Sequence, residues 1–215
     1  MIKLLTFVFL FIIGIQFSFG QTRFGLKAGG KVANMKFDKE SHKVFNTENE
    51  HRMGFQVGII AQEQMSNKVY VRSELFYSLK GYRIRDKQRT TRNPVSFHYI
   101  NLPVLVGYKL SSDFSAFLGP QVGYLAAVNI KSDNGETSDN LRNAGDYNQY
   151  DLGIGAGVDY TITPRISVDL RYNYGLTNIL DGNLIDSSGN EKESELLKNN
   201  RTIEISFNYF FRPKQ

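Results

Sequence analysis

Cysteine is absent from the 215-residue chain, which excludes disulfides, thiolate metal sites and a lipidated amino-terminal cysteine. Histidine is scarce, with only His42, His51 and His98. None of these has metal-ligand spacing or stands in a nucleophile motif. We therefore expect no catalytic residue, no metal site and no cofactor. The alternative of an enzyme would place a rim site around a loop histidine, with Asp38 or Ser96 as its partner.

Long hydrophobic runs are also missing after the amino terminus. A membrane-spanning helix needs about 20 consecutive apolar residues, and no later segment of the chain provides them. Any insertion into a membrane must therefore use strands. Residues 1–20 combine Lys3, the apolar block LLTFVFLFIIGIQFSF and small residues at Ser18 and Gly20. This pattern predicts a cleaved secretory signal peptide, with Gln21 as the first mature residue. The alternative is a retained anchoring helix, for which the apolar block is short.

The basic residues do not cluster into one motif, although the net charge is +5 and the pI is near 9.3. They are dispersed among 21 acidic residues, as on a solvated and locally paired surface. We expect no nucleic-acid partner. No shift in composition divides the chain, so residues 21–215 are predicted to form one domain.

The segment from Tyr150 to Leu176 shows the main pattern of the chain. Its even positions are mostly apolar or aromatic, whereas its odd positions are mostly Asp, Arg, Asn, Ser or Gly. A period of two predicts β-strands. Glycine weakens a strand, but glycines mixed with pairable charges suit a narrow enclosed space. We therefore expect the apolar face to meet lipid and the polar face to line a lumen.

The alternation recurs eight times, at about residues 23–34, 52–62, 69–79, 99–110, 114–130, 150–160, 166–176 and 201–211. Long loops, Met35 to Glu50, Gly81 to Ser96, Lys131 to Asn148 and Thr177 to Asn200, alternate with short turns, Gln64 to Lys68, Ser111 to Asp113 and Thr161 to Pro164. This order predicts an all-β fold, an eight-stranded antiparallel up-and-down transmembrane β-barrel with both termini at the short-turn end.

Prolines and tyrosines add two details to the predicted barrel. Pro103 and Pro120 lie inside predicted strands, where we expect a bulge or locally broken pairing. Tyrosines near strand ends suit aromatic girdles at the two membrane interfaces. These are Tyr77, Tyr99, Tyr108, Tyr160, Tyr172 and Tyr209.

The charges on the polar face form the strongest candidate site. They are Lys27, Lys31, Arg52, Arg72, Glu74, Lys109, Asp151, Asp159, Arg165, Asp169, Arg171 and Glu204. Seven of them, Lys27, Arg72, Glu74, Asp151, Asp169, Arg171 and Glu204, are taken as a structural lumen network. Enclosed ions are costly unless they pair, so we expect a salt-bridged, mostly closed lumen. The alternative is a selectivity lining for a narrow channel.

Two further classes of protein fit the alternation. A soluble, lipocalin-like carrier would reverse the faces and keep the apolar side chains inside. An interaction protein would use its long loops. The loop from Gly81 to Ser96 carries five basic residues that suit anionic headgroups, a polyanion or a protein partner, although these charges also serve solubility. They are Arg83, Arg85, Lys87, Arg89 and Arg92.

Five segments resemble the PorT-like outer-membrane β-barrel family of Bacteroidota. They are GLKAGGKVAN, SELFYSLKGY, YINLPVLVGYKL, AFLGPQVGYL and DLRYNYGLTNI. The resemblance implies an eight-stranded barrel of the OmpA and OmpX type in the bacterial outer membrane, in contact with its lipid. It also implies an accessory role in a protein secretion system as one alternative. A structural, adhesion or accessory role is the expectation that we adopt, with the oligomeric state left open.

Overall fold

The computed structural model describes residues 22–35, 47–86, 92–131, 137–138, 147–178, 183–185, 191–193 and 200–212. Eight long strands dominate the described part of the chain. They are β1 (Thr22–Met35), β2 (Thr47–Gln64), β3 (Val69–Asp86), β4 (Arg92–Lys109), β5 (Phe114–Lys131), β6 (Tyr150–Thr163), β7 (Ile166–Gly175) and β8 (Asn200–Phe210). The predicted signal peptide, residues 1–20, lies outside the described residues.

Each long strand pairs antiparallel with its neighbours in sequence, and β1 pairs with β8 from Gly25↔Phe210 to Met35↔Asn200. The pairing of β4 with β5 completes the circuit of strands. The sheet is therefore closed, so none of the eight strands leaves a long unpaired edge. The predicted eight-stranded up-and-down barrel is confirmed.

The two faces of the wall have the predicted orientation. On β7, Leu170 is 51% exposed, whereas its neighbours Asp169 and Arg171 are buried. The same contrast recurs along β8, where Ile205 is exposed and Glu204 is buried. A soluble carrier would show the opposite arrangement. The barrel thus presents apolar side chains outward and encloses the ionic ones.

The strands extend further than the alternation predicted at the long-loop end. The sequence predicts a loop from Gly81 to Ser96, but β3 continues to Asp86 and β4 begins at Arg92. Lys87 and Arg89 lie outside the described residues. Backbone pairs such as Arg83↔Pro94 continue the ladder, because backbone hydrogen bonds do not require apolar side chains once a strand has left the hydrocarbon. An 18-residue strand spans about 60 Å, roughly twice the hydrocarbon thickness.

Short strands lie within two of the other predicted loops. Thr137–Ser138 adds to β5, with Ile130 opposite Ser138. Asn183–Ile185 and Glu191–Glu193 form a separate two-stranded hairpin. The loop end of the barrel therefore carries additional backbone structure.

The two prolines interrupt pairing without a change of register. Between β3 and β4 the ladder passes from Ser73↔Val104 to Phe76↔Asn101, and Pro103 lies in the interval. Between β4 and β5 it passes from Pro103↔Gln121 to Val106↔Leu118, and Pro120 lies in that interval. The expectation of locally broken pairing is confirmed. A missing N–H explains each interval, since proline cannot donate to the ladder.

The tyrosine prediction needs one correction. Tyr108, Tyr160, Tyr172 and Tyr209 are exposed on the outer face, as a girdle requires, and Tyr77 is half-buried there, whereas Tyr99 is buried in the lumen. In β4 the odd-numbered positions near Tyr99 face the lumen, and Tyr99 shares this lumen-facing parity with Phe97 and Asn101. Across the ranges that the structure describes, there is no helix long and apolar enough to cross a membrane.

Candidate functional site: the ionic lumen

The lumen-facing parity of five strands places the predicted charges inside the barrel. Lys27 lies on β1, Arg72 and Glu74 on β3, Asp151 on β6, Asp169 and Arg171 on β7, and Glu204 on β8. All seven are buried. Because side chains alternate along a strand, each charge is separated from the next lumen position by one lipid-facing residue.

Four of the charges form one cluster at the centre. Lys27 Nζ lies 3.2 Å from Glu74 Oε2 and 3.1 Å from Asp169 Oδ2. Arg171 donates to both oxygens of Glu74, at 2.7 and 3.0 Å. These four side chains have no exposed surface. Two cations and two carboxylates balance in charge, and bidentate arginine pairing of this kind is strong.

The central cluster crosses the interior rather than following the wall. Its residues come from β1, β3 and β7, and the sheet order places β2 between β3 and β1, and β8 between β1 and β7. Glu74 and Arg171 are therefore not on paired strands. Their contact joins opposite sides of the lumen.

Further ion pairs lie on either side of the central cluster. Toward the short turns, Arg72 Nη2 lies 3.0 Å from Asp159 Oδ2. Toward the loop end, Lys31 pairs with Glu204 at 2.8 Å and Lys80 with Asp151 at 3.3 Å. Each pair joins two different strands, so these ion pairs also link separate strands of the barrel wall.

Hydrogen bonds link the turn-end pair to the centre. Ser167 donates to Asp159 at 3.0 Å. Asn208 donates to Ser167 at 3.3 Å and to Asp169 at 2.8 Å. The polar interior is thus connected from Arg72 to Arg171, as a buried set of ions requires if its desolvation is to be compensated.

Aromatic rings fill much of the remaining interior. Tyr70 and Phe76, which interrupt the polar pattern of β3, are buried among the charges. Lys27 and Lys31 lie over the ring of Phe76, at 5.8 and 5.3 Å from its centroid, and Arg171 lies 5.1 Å from that of Phe117. Such cation–π contacts offset part of the cost of enclosing a cation.

Two small spaces lie beside this packing in the described part of the lumen. A cavity of about 20 Å³ lies at the turn end, near Arg23 and Asp159. Another of about 10 Å³ lies near Lys80 and Asn173. Each is close to the size that one water molecule needs.

An aromatic contact lies at the loop end of the lumen. The ring of Tyr147 meets that of Phe97 edge-on, with 5.7 Å between the centroids. The adjacent backbone is fixed by a hydrogen bond from Leu125 N to Gln149 O of 2.8 Å. Burial raises the pKa of the Tyr147 hydroxyl, because the phenolate would lose solvation. The segment before β6 therefore packs onto the interior of the barrel.

Sequence reasoning missed one lumen cation and misplaced another. The alternation predicts a third strand that ends at Leu79, but β3 continues, and Lys80 faces the lumen like Arg72, Glu74 and Ser78. The alternation predicts Arg165 to be a lumen charge, but it is exposed at the turn between β6 and β7. The alternation, extended by one residue past Leu79, is the signal that identifies Lys80 as a lumen residue.

His98 lies on β4 rather than in a loop. Tyr77 Oη is 2.6 Å from its Nδ1, and Asn129 Nδ2 is 3.2 Å from its Nε2. Asp38 and His42 lie outside the described residues. In the described ranges, no group of three or more His, Cys, Asp or Glu side chains could hold a metal ion. The absence of a cofactor stays a prediction.

Comparisons with known proteins agree with this geometry. Residues 16–181 match the family described as outer membrane protein beta-barrel domain. Among solved structures, Neisserial surface protein A is 15% identical over 86% of this chain and 96% of its own, with a TM-score of 0.51. Ail of Yersinia pestis is 14% identical over 89% and 99%, with a TM-score of 0.49. The E. coli outer membrane protein W is 15% identical over 89% and 98%, with a TM-score of 0.43.

No curated protein matches the sequence. At 15% identity, the match to Neisserial surface protein A shows the fold alone, while the family match covers more than half of the 215 residues. The chain therefore belongs to the outer membrane protein beta-barrel domain family, and it resides in the bacterial outer membrane.

Proposed function

We propose that this protein is a non-conducting outer-membrane barrel with a structural, adhesion or accessory role, whose closed interior supports the loop end. The central observation is the ion cluster of Lys27, Glu74, Asp169 and Arg171, which crosses the lumen with no exposed side-chain surface. A conducting pore needs a continuous wet path. The cluster occupies the place where that path would run.

The size of the barrel supports the same proposal. Eight strands enclose an interior just wide enough for side chains, and here rings such as Phe76 and Phe117 occupy it together with the ions. Opening a passage would require several ion pairs to separate at once. Because each cation would lose a buried carboxylate partner, such a state is costly.

Conductance across planar lipid bilayers tests the closed lumen. The purified chain, reconstituted at a known protein-to-lipid ratio, should give no stable current steps under conditions in which a large porin conducts. A matched variant, Glu74→Gln with Arg171→Gln, removes the bidentate pair while keeping similar volumes, and brief openings are expected from it. Stable steps from the unaltered protein would instead support the narrow-channel alternative.

The loop end is the proposed contact surface for a protein partner. There β2, β3 and β4 continue past the apolar band, with Glu48 opposite Arg85 and Glu50 opposite Arg83 in the backbone register. Strands that project beyond the membrane hold connecting loops away from the lipid surface, where a partner can reach them. Loop deletions that spare the strands, tested for adhesion of cells, address this role.

An accessory role in protein secretion is the alternative within this proposal. It is supported by the resemblance of five segments to the PorT-like family, and these segments fall mainly in β1, β3, β4, β5 and β7. A deletion strain separates the roles. Loss of secreted proteins from the medium with an intact envelope favours the accessory component, whereas envelope leakage with normal secretion favours a structural role.

We also propose that the protein catalyses no reaction. Both ring nitrogens of His98 are occupied by Tyr77 and Asn129, which leaves this histidine poorly placed to act as a base. Esterase, protease and acyltransferase assays in detergent micelles, with His98→Ala as control, test this. Turnover that His98→Ala abolishes would refute the proposal.

A further inference from the structure

The short-turn end of the barrel carries an open groove of about 680 Å³. Its walls come from the turn after β2, the turn Ser111–Asp113 and the turn at the end of β6. Its volume falls within the range of about 300–1,000 Å³ that is typical of ligand sites. We propose that this groove binds one phospholipid of the periplasmic leaflet, with the lipid phosphate at Lys68 and Lys109.

Backbone hydrogen bonds hold the walls of the groove together. Lys109 N donates to Lys68 O at 2.7 Å, and Thr161 N donates to Asp113 O at 2.7 Å. Within one turn, Ser111 Oγ accepts from Phe114 N at 3.1 Å. The three turns are therefore fixed side by side before any ligand arrives, which reduces the ordering cost of binding.

The groove is amphipathic in the manner that a phospholipid requires. Leu110, Tyr160 and Ile162 follow the lipid-facing parity of their strands and are exposed. Lys109 and Thr161 follow the opposite parity. The groove thus extends from the hydrocarbon side of the wall over the rim to the polar end face, and it offers surface for an acyl chain and for a headgroup.

The charge balance of the lining favours an anion. Lys68 and Lys109 contribute two positive charges, and Asp113 contributes the one carboxylate among the lining residues, while Lys109 also borders the turn-end cavity beside Asp159. The Asp113 carboxylate already accepts a hydrogen bond from Ser112 Oγ at 3.0 Å. Lysine binds phosphate as a point charge, and basic groups at a membrane surface attract anionic lipid.

The position of the groove selects the lipid source. In barrels of this type the short turns face the periplasm, so the groove lies at the level of the inner-leaflet headgroups. The exposed rings of Tyr108 and Tyr209 occur at the same end, as in an interfacial aromatic girdle. A membrane phospholipid is therefore present beside the groove at high local concentration.

Native mass spectrometry of the full-length chain in detergent tests the proposal. After delipidation, the protein is offered phosphatidylglycerol or phosphatidylcholine with the same acyl chains. The unaltered chain should retain one phosphatidylglycerol in preference to phosphatidylcholine, and inorganic phosphate should not displace it. The double variant Lys68→Gln with Lys109→Gln should lower phosphatidylglycerol retention about tenfold, because a charge-assisted contact is lost at each position.

Arg165→Gln is the matched control, since Arg165 is exposed at the same end but does not line the groove. It should retain lipid as the unaltered chain does. Equal retention of the two lipids, or equal retention by the double variant, would overturn the proposal. A mass that corresponds to two copies of the chain without a bound lipid would also overturn it.

A label provides an independent measurement that does not require the lysine variants to fold. Because the chain has no cysteine, Ser112→Cys places one nitroxide at the groove. In discs of mixed lipid it should broaden the phosphorus resonance of phosphatidylglycerol more than that of phosphatidylcholine. A label at Thr177→Cys, at the loop end, should broaden both equally. Equal broadening from Ser112→Cys would contradict the proposed site.

Discussion

Arg171 on β7 holds both carboxylate oxygens of Glu74 on β3, at 2.7 and 3.0 Å, across the interior of the barrel. The two residues are 97 positions apart in the sequence, and their strands are not paired. This contact joins opposite walls. It therefore has consequences for stability that a pair on adjacent strands would not have.

Removal of one partner of this pair should destabilise the barrel strongly. Arg171→Met leaves Glu74 with Lys27 alone, and loss of one member of a buried ion pair typically costs about 3–5 kcal/mol of unfolding free energy. Urea unfolding in lipid vesicles measures it. The control is Leu170→Ile at the adjacent lipid-facing position, which should change the free energy of unfolding by much less. The double variant Glu74→Leu with Arg171→Met should cost less than the two single changes added together, and strict additivity would argue against the contact.

A charged residue on the lipid face should destabilise the barrel more when it lies deeper in the bilayer. Leu170 lies midway along β7, and an arginine there should cost about 2–4 kcal/mol of unfolding free energy, whereas Ile166→Arg at the strand end should cost about 0–1. Unfolding from vesicles compares the two directly. Equal and negligible costs would mean that this face does not meet hydrocarbon.

The ring of Tyr70 lies against Gly107 in the lumen, where a β-carbon on Gly107 would overlap the ring. Gly107→Ala should therefore displace Tyr70, disturb its 3.2 Å contact with Ser115, and cost about 1–3 kcal/mol as overpacking does. Gly30→Ala is the matched control, since the nearest atom to its added carbon would be 3.9 Å away. In a Tyr70→Ala background Gly107→Ala should cost much less than in the unaltered chain, and an equal cost in the two backgrounds would show that the ring is not the obstacle.

Pro120 interrupts the ladder between β4 and β5, although β5 and β6 remain paired at Pro120↔Ile154. Pro120→Ala supplies an N–H on the β4 side, which should add up to about 1 kcal/mol of stability as a typical hydrogen bond does. Hydrogen exchange of the Val104 and Leu105 amides should slow in this variant. Pro164→Ala, in an exposed turn, serves as the control and should leave these two amides unchanged.

The eight strands could be predicted because alternation is a local property. Each of the charges Lys27, Glu74 and Asp169 stands between lipid-facing neighbours, so parity alone assigned them to the interior. Lys80 is not assigned by the alternation, because Gly81 and the arginines beyond it predict the start of a loop. Where a strand leaves the membrane, its polarity no longer alternates strongly, and its end cannot be read from composition.

By itself, the sequence determined the fold class, the order of the strands and the face to which each side chain belongs, since these follow from a period of two and from the alternation of long and short connections. Only the tertiary structure determines which charged side chains pair with each other in the lumen. Lys27 meets Glu74 and Asp169, and Arg72 meets Asp159, because the register between strands brings distant positions to one level of a closed barrel. Closure between β1 and β8 is likewise a property of the whole sheet, because it depends on the accumulated tilt and stagger of all eight strands rather than on any one of them.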